Sequence, residues 1–263
     1  MSFPNIIYGD YGDEKRAQST RINSMPLGTL MVLPDGRKFR HARAASGTAL
    51  TAGYLQTGPA VPSDTMLVKS LVPNSTIAIG ATSVAGSTGG TTAITTDQYR
   101  DGFLIVPAST AHPGAGRMYK IIANNSAASG SASFTINLDP ADPIETALPA
   151  GTTTFGLREN LYNQVVVCPG DTSAVAPIAG VPVVAVSAGF YCWLQRSGPA
   201  VVFNAGTVLT VGEPVVASSA VAGAVAAMAA TTITDAKGRL GKIGYSMTLG
   251  AAAGFALVDM TLG

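Results

Sequence analysis

Acid–base, nucleophilic and metal chemistry draw mostly on histidine, cysteine and clustered carboxylates, and this chain is poor in all three. Its 263 residues include two histidines and two cysteines. His41 lies among Lys38, Arg40 and Arg43, whose charges oppose an imidazolium, and no carboxylate stands near it in sequence to orient the ring. His112 sits in Ala111-His112-Pro113-Gly114-Ala115-Gly116, a loop sequence. Both are read as surface or packing residues. Cys168 and Cys192 form no Cys-x-x-Cys pair, which points away from zinc and redox motifs and towards two buried free thiols. Carboxylates cluster at Asp10, Asp13 and Glu14 and again at Asp139 and Asp142, but neither group has the spacing of a calcium loop, so both are read as solvated turns. The chain has no Gly-x-Ser-x-Gly elbow, no P-loop, and no Gly-x-Gly-x-x-Gly behind a strand. The expectation is a protein that is not an enzyme and uses no metal and no cofactor.

Composition narrows the partners. Charged residues are 12% and the net charge is +1, too even a balance for a domain-wide nucleic-acid surface. Apolar residues reach 47% with only 6% aromatic, so alanine and valine carry the apolar fraction. A weakly charged chain of this kind hides surface in an assembly, which argues for self-association and against a disordered chain. The N-terminus shows no basic segment leading into an apolar one, and no run approaches the roughly 18–20 apolar residues of a membrane helix. Synthesis in a cytoplasm, without a membrane partner, is expected. Asn74-Ser75-Thr76 and Asn124-Asn125-Ser126 match the glycosylation pattern, which is idle without secretion.

The elements that would position any site are short strands. Residues 1–60 hold seven basic and four acidic side chains, and residues 1–26 scatter apolar groups without a period. Such a segment reads as an extended arm lying on another surface. Residues 27–33 and 37–43 flank Pro34-Asp35-Gly36, a hairpin in which proline presets φ and glycine accepts a positive φ. Phe39 and His41 fall on one face of its second strand, Lys38 and Arg40 on the other. From residue 61 onward β-prone runs recur between Gly and Pro turns, at 76–79, 102–106, 118–122, 132–138, 164–167, 181–186, 190–195 and 255–258. Three prolines, Pro140, Pro143 and Pro149, make 139–151 a loop. The alanine-rich stretch 220–230 fits helix or strand, and Val221, Gly223 and Val225 favour strand. The fold expected is all-β, an N-terminal arm and hairpin followed by sandwich or barrel modules with little helix. The domains expected are 1–60, 61–200, and a small barrel-like module over 201–263, either separate from or continuous with the preceding domain. Tyr54-Leu55-Gln56-Thr57-Gly58-Pro59 is echoed by Trp193-Leu194-Gln195-Arg196-Ser197-Gly198-Pro199, too briefly to establish a repeat. Trp193 is read as core.

Three stretches carry a resemblance. They are Gly12-Asp13-Glu14-Lys15 through the hairpin to Leu50-Thr51-Ala52-Gly53; Gly189-Phe190-Tyr191-Cys192-Trp193-Leu194-Gln195 with Gly198-Pro199-Ala200; and 206–216 with Ile243-Gly244-Tyr245-Ser246-Met247 and Leu257-Val258. Together these resemble the capsid decoration (cement) proteins of tailed bacteriophages, particularly those infecting cyanobacteria and other aquatic bacteria. The third is similar to the small β-barrel of phage head-decoration proteins. The resemblance implies a virion protein on the outer surface of an icosahedral capsid, with the major capsid protein as partner and a homotrimer as its own state. It supplies no residue-level motif. The capsid-contacting residues expected come from the arm and hairpin: Phe3, Ile6, Ile7, Tyr8 and Tyr11 for apolar contact, with Lys15, Arg16, Arg21, Arg37 and Arg40 for charge. Residues 1–43 are expected to order only on the capsid. Alternatives are a coat, tail or fibre protein, or a carbohydrate-binding β module.

Overall fold

Leu33, Pro34, Asp35 and Gly36 close the first hairpin as their chemistry dictates. In the computed structural model Gly36 adopts φ +83°, its N–H donates to Leu33 O at 2.9 Å, and Asp35 accepts from the Arg37 backbone and from its Nε. The structure describes residues 6–59, 71–88, 92–107, 113–130, 132–170, 176–204, 206, 208–228, 241–250 and 254–263. His112 and Phe3 lie outside them. The strands in chain order are β1 (Ile6–Tyr8), β2 (Leu30–Val32), β3 (Lys38–Arg43), β4 (Gln56–Thr57), β5 (Ser83–Ser87), β6 (Phe103–Ile105), β7 (Met118–Asn124) and β8 (Ser133–Leu138). They continue with β9 (Gly156–Arg158), β10 (Val166–Val167), β11 (Ile178–Pro182), β12 (Tyr191–Asn204), β13 (Pro214–Ala217), β14 (Val225–Ala227), β15 (Gly244–Ser246) and β16 (Gly254–Thr261). Among the described residues there is no α-helix, and the only helical turns are two 3-10 turns, Asp13–Lys15 and Ile22–Ser24. The protein is essentially all-β, with a barrel and a second sheet.

The chain divides into two units, Met1–Ala60 with Leu161–Gly263, and Val61–Asn160. The divide expected near residue 200 falls inside β12, because that strand pairs with β3 through its first half and with β16 through its second. Residues 161–200 therefore belong with the N-terminal segment. A contiguous partition cannot express a unit that the chain leaves and re-enters.

In the first unit β1-β2-β3-β12 form one sheet, with β1 parallel to β2 and the hairpin antiparallel. The second half of β12 closes a small barrel with β14, β13, β15 and β16. At the junction a bulge separates Gln195 from Ser197, and Gly198 takes φ +83°. Gln195 is buried there and spans the bulge, its Nε2 donating to Pro199 O at 2.8 Å and lying 3.3 Å from the carbonyls of Ser197 and Gly198. Arg196 points the other way, onto the carbonyls of Ile178, Ala179, Leu262 and Gly263. Burial lowers its pKa from the ordinary arginine value. Ala200, Val202, Val215, Val225, Ile243, Val258 and Met260 fill the barrel.

The arm is not partnerless. Residues 6–26 lie on the chain's own sheet: Gly9 N–H donates to Val32 O, Gln18 and Tyr191 exchange two backbone bonds, and Ile22 packs with Met31, Leu33, Phe39 and Trp193. The other surface that its composition calls for is the chain's own hairpin and β12.

The second unit is a five-stranded antiparallel sheet, β5-β8-β7-β6-β9, over a core that includes Tyr99, Tyr119, Phe134 and Phe155. The run 76–79 contributes one isolated bridge rather than a strand, Ile77 to Leu148 in the proline loop. In the stretch 220–230 the described part supplies β14, and Gly223 turns with φ +72°.

Candidate docking surface

Residues with chemical potential are spent on structure. His41 is fully buried, Nδ1 3.2 Å from Pro26 O, its ring between Tyr191 and Trp193 at centroid distances of 5.6 and 5.4 Å. Both cysteines are buried and neither is in a disulfide, and burial pushes the Cys192 thiol up to about 12. Asp13 accepts from the Asp10 backbone, Glu14 from that of Gly12 and Asp139 from Ala141, which organises turns, while Asp142 accepts from Lys120 of β7; Glu14 is buried rather than solvated. Among the described residues no three His, Cys, Asp or Glu side chains are grouped to hold a metal ion, and no helix is long and apolar enough to cross a membrane.

What the fold does build is a surface. The register aligns Ile6 with Leu30 and Arg40, and Tyr8 with Val32 and Lys38, across β1, β2 and β3. Cross-strand partners share a face, so these six side chains form two rows on one side of the sheet. Between them Ile7, Met31 and Phe39 point to the opposite side, into the cluster around Trp193. That alternation explains why Tyr8 is 84% exposed while its neighbour Ile7 is half-buried. Among the described residues β1 is also the end strand of the sheet.

The ten expected contact residues therefore divide. Ile6, Tyr8, Tyr11, Lys15 and Arg16 are exposed, Arg16 in an ion pair with Asp13 at 2.9 Å. Ile7 faces inward. Arg21 holds Met25 O and covers the Tyr191 ring, and Arg37 pairs with Asp35 at 2.7 Å and lies over Phe39. Burial alone would raise the Asp35 carboxyl, but hydrogen bonds and charge from Arg37 outweigh it and hold the carboxyl below its usual range. Arg40 donates to Gly28 O at 2.8 Å and keeps its aliphatic stem in the outward row. Comparison with protein-family models, with curated proteins and with solved structures returns no match.

Leu30, Val32 and Lys38 complete the rows and were not expected as contacts. Hairpin alternation already placed Lys38 on one face with Arg40. The parallel β1–β2 pairing that sets Ile6 and Tyr8 beside them leaves no local signal.

Proposed function

We propose that this chain is a non-enzymatic structural protein of a phage virion, binding the outside of an icosahedral capsid and cementing its lattice. Its partners are the major capsid protein and further copies of itself, in a homotrimer. The observation that carries the reading is the pair of rows Ile6–Leu30–Arg40 and Tyr8–Val32–Lys38, an apolar strip with Lys38 exposed, the Arg40 guanidinium held at Gly28 O, and no carboxylate, on the end strands of the sheet among the described residues. Apolar side chains supply contact area, and the cations select an acidic partner surface and steer its approach. The resemblance to decoration proteins and the all-β build support the same assignment. Trp193, the sole tryptophan, is 3% exposed and offers no platform to a sugar, which removes the main support for a carbohydrate-binding module.

The test uses exposed positions, because deleting residues 1–24 would also strip Ile7 and Ile22 from the core. Tyr8→Ser and Lys38→Glu are mixed with undecorated capsids and assayed by co-sedimentation over a salt series. Both should fold as the parent does. Tyr8→Ser should weaken binding by about tenfold at every salt concentration. Lys38→Glu should weaken it most at low salt and flatten the salt dependence. Parent-like binding by both variants would refute the strip as the anchor.

A further inference from the structure

The barrel carries a second surface that is exposed among the described residues, and its chemistry differs from that of the strip. Most outward positions along the second half of β12, β16 and β15 are apolar. Val201 pairs with Leu257, Phe203 with Phe255, and Tyr245 with Asp259; Met247 continues the face by donating its N–H to Leu257 O. Leu249, two residues on, is 72% exposed, with Val201 at 57% and Phe255 at 54%. The aromatic part is ordered: Tyr54 stacks on Phe203 at 4.6 Å, and Phe203 lies 5.7 Å from Phe255. Gly53 is required beneath that stack. A Cβ there would sit 2.7 Å from the Phe255 ring, on a backbone with φ +76°. Beside it opens a cleft of about 380 Å³ lined by Val181, Val183, Val201, Phe255 and Leu257, with Arg37 at its margin.

Monomeric proteins seldom leave so continuous an apolar face in water. Its charges identify what covers it. Lys242 lies 3.8 Å from the Tyr245 ring centroid, and Asp259 is the cross-strand neighbour of Tyr245. Neither makes an ion pair among the described residues. With Arg37 already paired to Asp35, Lys242 and Asp259 remain at the edge of the apolar face and make it neutral and complementary to itself: a like face supplies an aspartate for each lysine and sets no excess charge against another. The strip on β1–β3, with two cations and no anion, lacks that property.

We infer that the outer face of β12, β16 and β15 is where a second copy of this chain binds, Lys242 of one copy meeting Asp259 of the next around a centre of Phe255, Val201 and Leu249. This locates the self-association in the proposed reading and does not depend on capsid binding. Sedimentation velocity of the full chain over a concentration series tests it. The parent should assemble beyond a monomer. Leu249→Glu and Phe255→Asp, checked for native circular dichroism, should each weaken assembly by at least about tenfold. Lys242→Glu should weaken it less, and adding Asp259→Lys to that variant should restore it. A parent monomeric at every concentration would overturn the self-association itself. A parent that assembles while Leu249→Glu and Phe255→Asp assemble equally well, or a charge-reversed pair that fails to restore, would overturn this face and leave self-association standing. Co-sedimentation with capsids scores the other surface separately.

Discussion

Replacing Ile22 by alanine separates an arm docked on its own sheet from an arm that waits for a partner. Ile22 is 4% exposed and packs with Met31, Leu33, Phe39 and Trp193. Truncation removes three carbons, about 2.4 kcal/mol of lost transfer free energy at about 0.8 kcal/mol per methylene. A residual cavity adds to that, and measured Ile→Ala costs span roughly 2–5 kcal/mol. Ile22 opens a 3-10 turn at the margin of the cluster, where Ile7 and Met25 are only partly buried and free to close in. The loss should therefore fall at the lower end, about 2–3 kcal/mol. Trp193 is the sole tryptophan and a member of the same cluster, so urea unfolding followed by its fluorescence reads the affected unit directly. Ile6→Ala, at an exposed position on the same segment, is the control and should stay within about 0.5 kcal/mol of the parent. If Ile22→Ala leaves the midpoint where the parent has it, residues 6–26 are not packed on the sheet in free solution. The composition-based expectation of an arm ordered only by the capsid would then stand.

Two further outcomes follow from buried groups. The unfolded Cys192 thiol ionises near its ordinary 9.0, whereas the native one keeps its proton to about 12. The unfolded state binds fewer protons in that window, so this contribution is intact below pH 9 and falls by about 1.4 kcal/mol per pH unit above it; urea midpoints from pH 8 to 11 should show the slope, and Cys192→Ala should remove it. Arg196→Ala should cost about 2–3 kcal/mol, since charge-assisted donors to the Ile178, Ala179 and Leu262 carbonyls are lost together. Arg196→Lys should recover only part of that in thermal unfolding, because an ammonium cannot hold β11 and the C-terminal strand at once.

Local chemistry was enough for some elements. The hairpin was legible because Pro34, Asp35 and Gly36 each have a backbone preference that suits one turn, and β7 and β8 because their buried and outward residues alternate. The shared face of Phe39 and His41 followed from the same period, as did the buried thiols from cysteine's habit. The arm was opaque for the opposite reason. The partner that orders Ile22 and Gln18 is the Tyr191–Trp193 segment, and no local pattern announces a contact across so long a span. The insertion of a whole unit between β4 and β10 hid the division of the chain in the same way.

The two surfaces show how far sequence reasoning reaches. Ile6, Tyr8, Tyr11, Lys15 and Arg16 were legible as exposed candidates, but the strip that Ile6 and Tyr8 join depends on parallel pairing with β2, which composition does not encode. The barrel face was invisible because β12 and β16 are apolar on both sides: Val202, Ala256 and Val258 fill the interior, while Val201, Phe203 and Phe255 turn outward. A strand without alternation reads as buried twice over, and only the barrel's closure shows which side lacks a cover. The brief echo of Leu55-Gln56 in Leu194-Gln195 gains its meaning from the same topology. β4 and β12 flank β11 on either side, Gln56 opposite Gly180 and Gln195 opposite Val181, and each buried glutamine donates to backbone carbonyls of its own segment. The likeness marks two strands with one local arrangement, a buried glutamine donating to carbonyls of its own segment beside a shared central strand. It does not require a repeated domain.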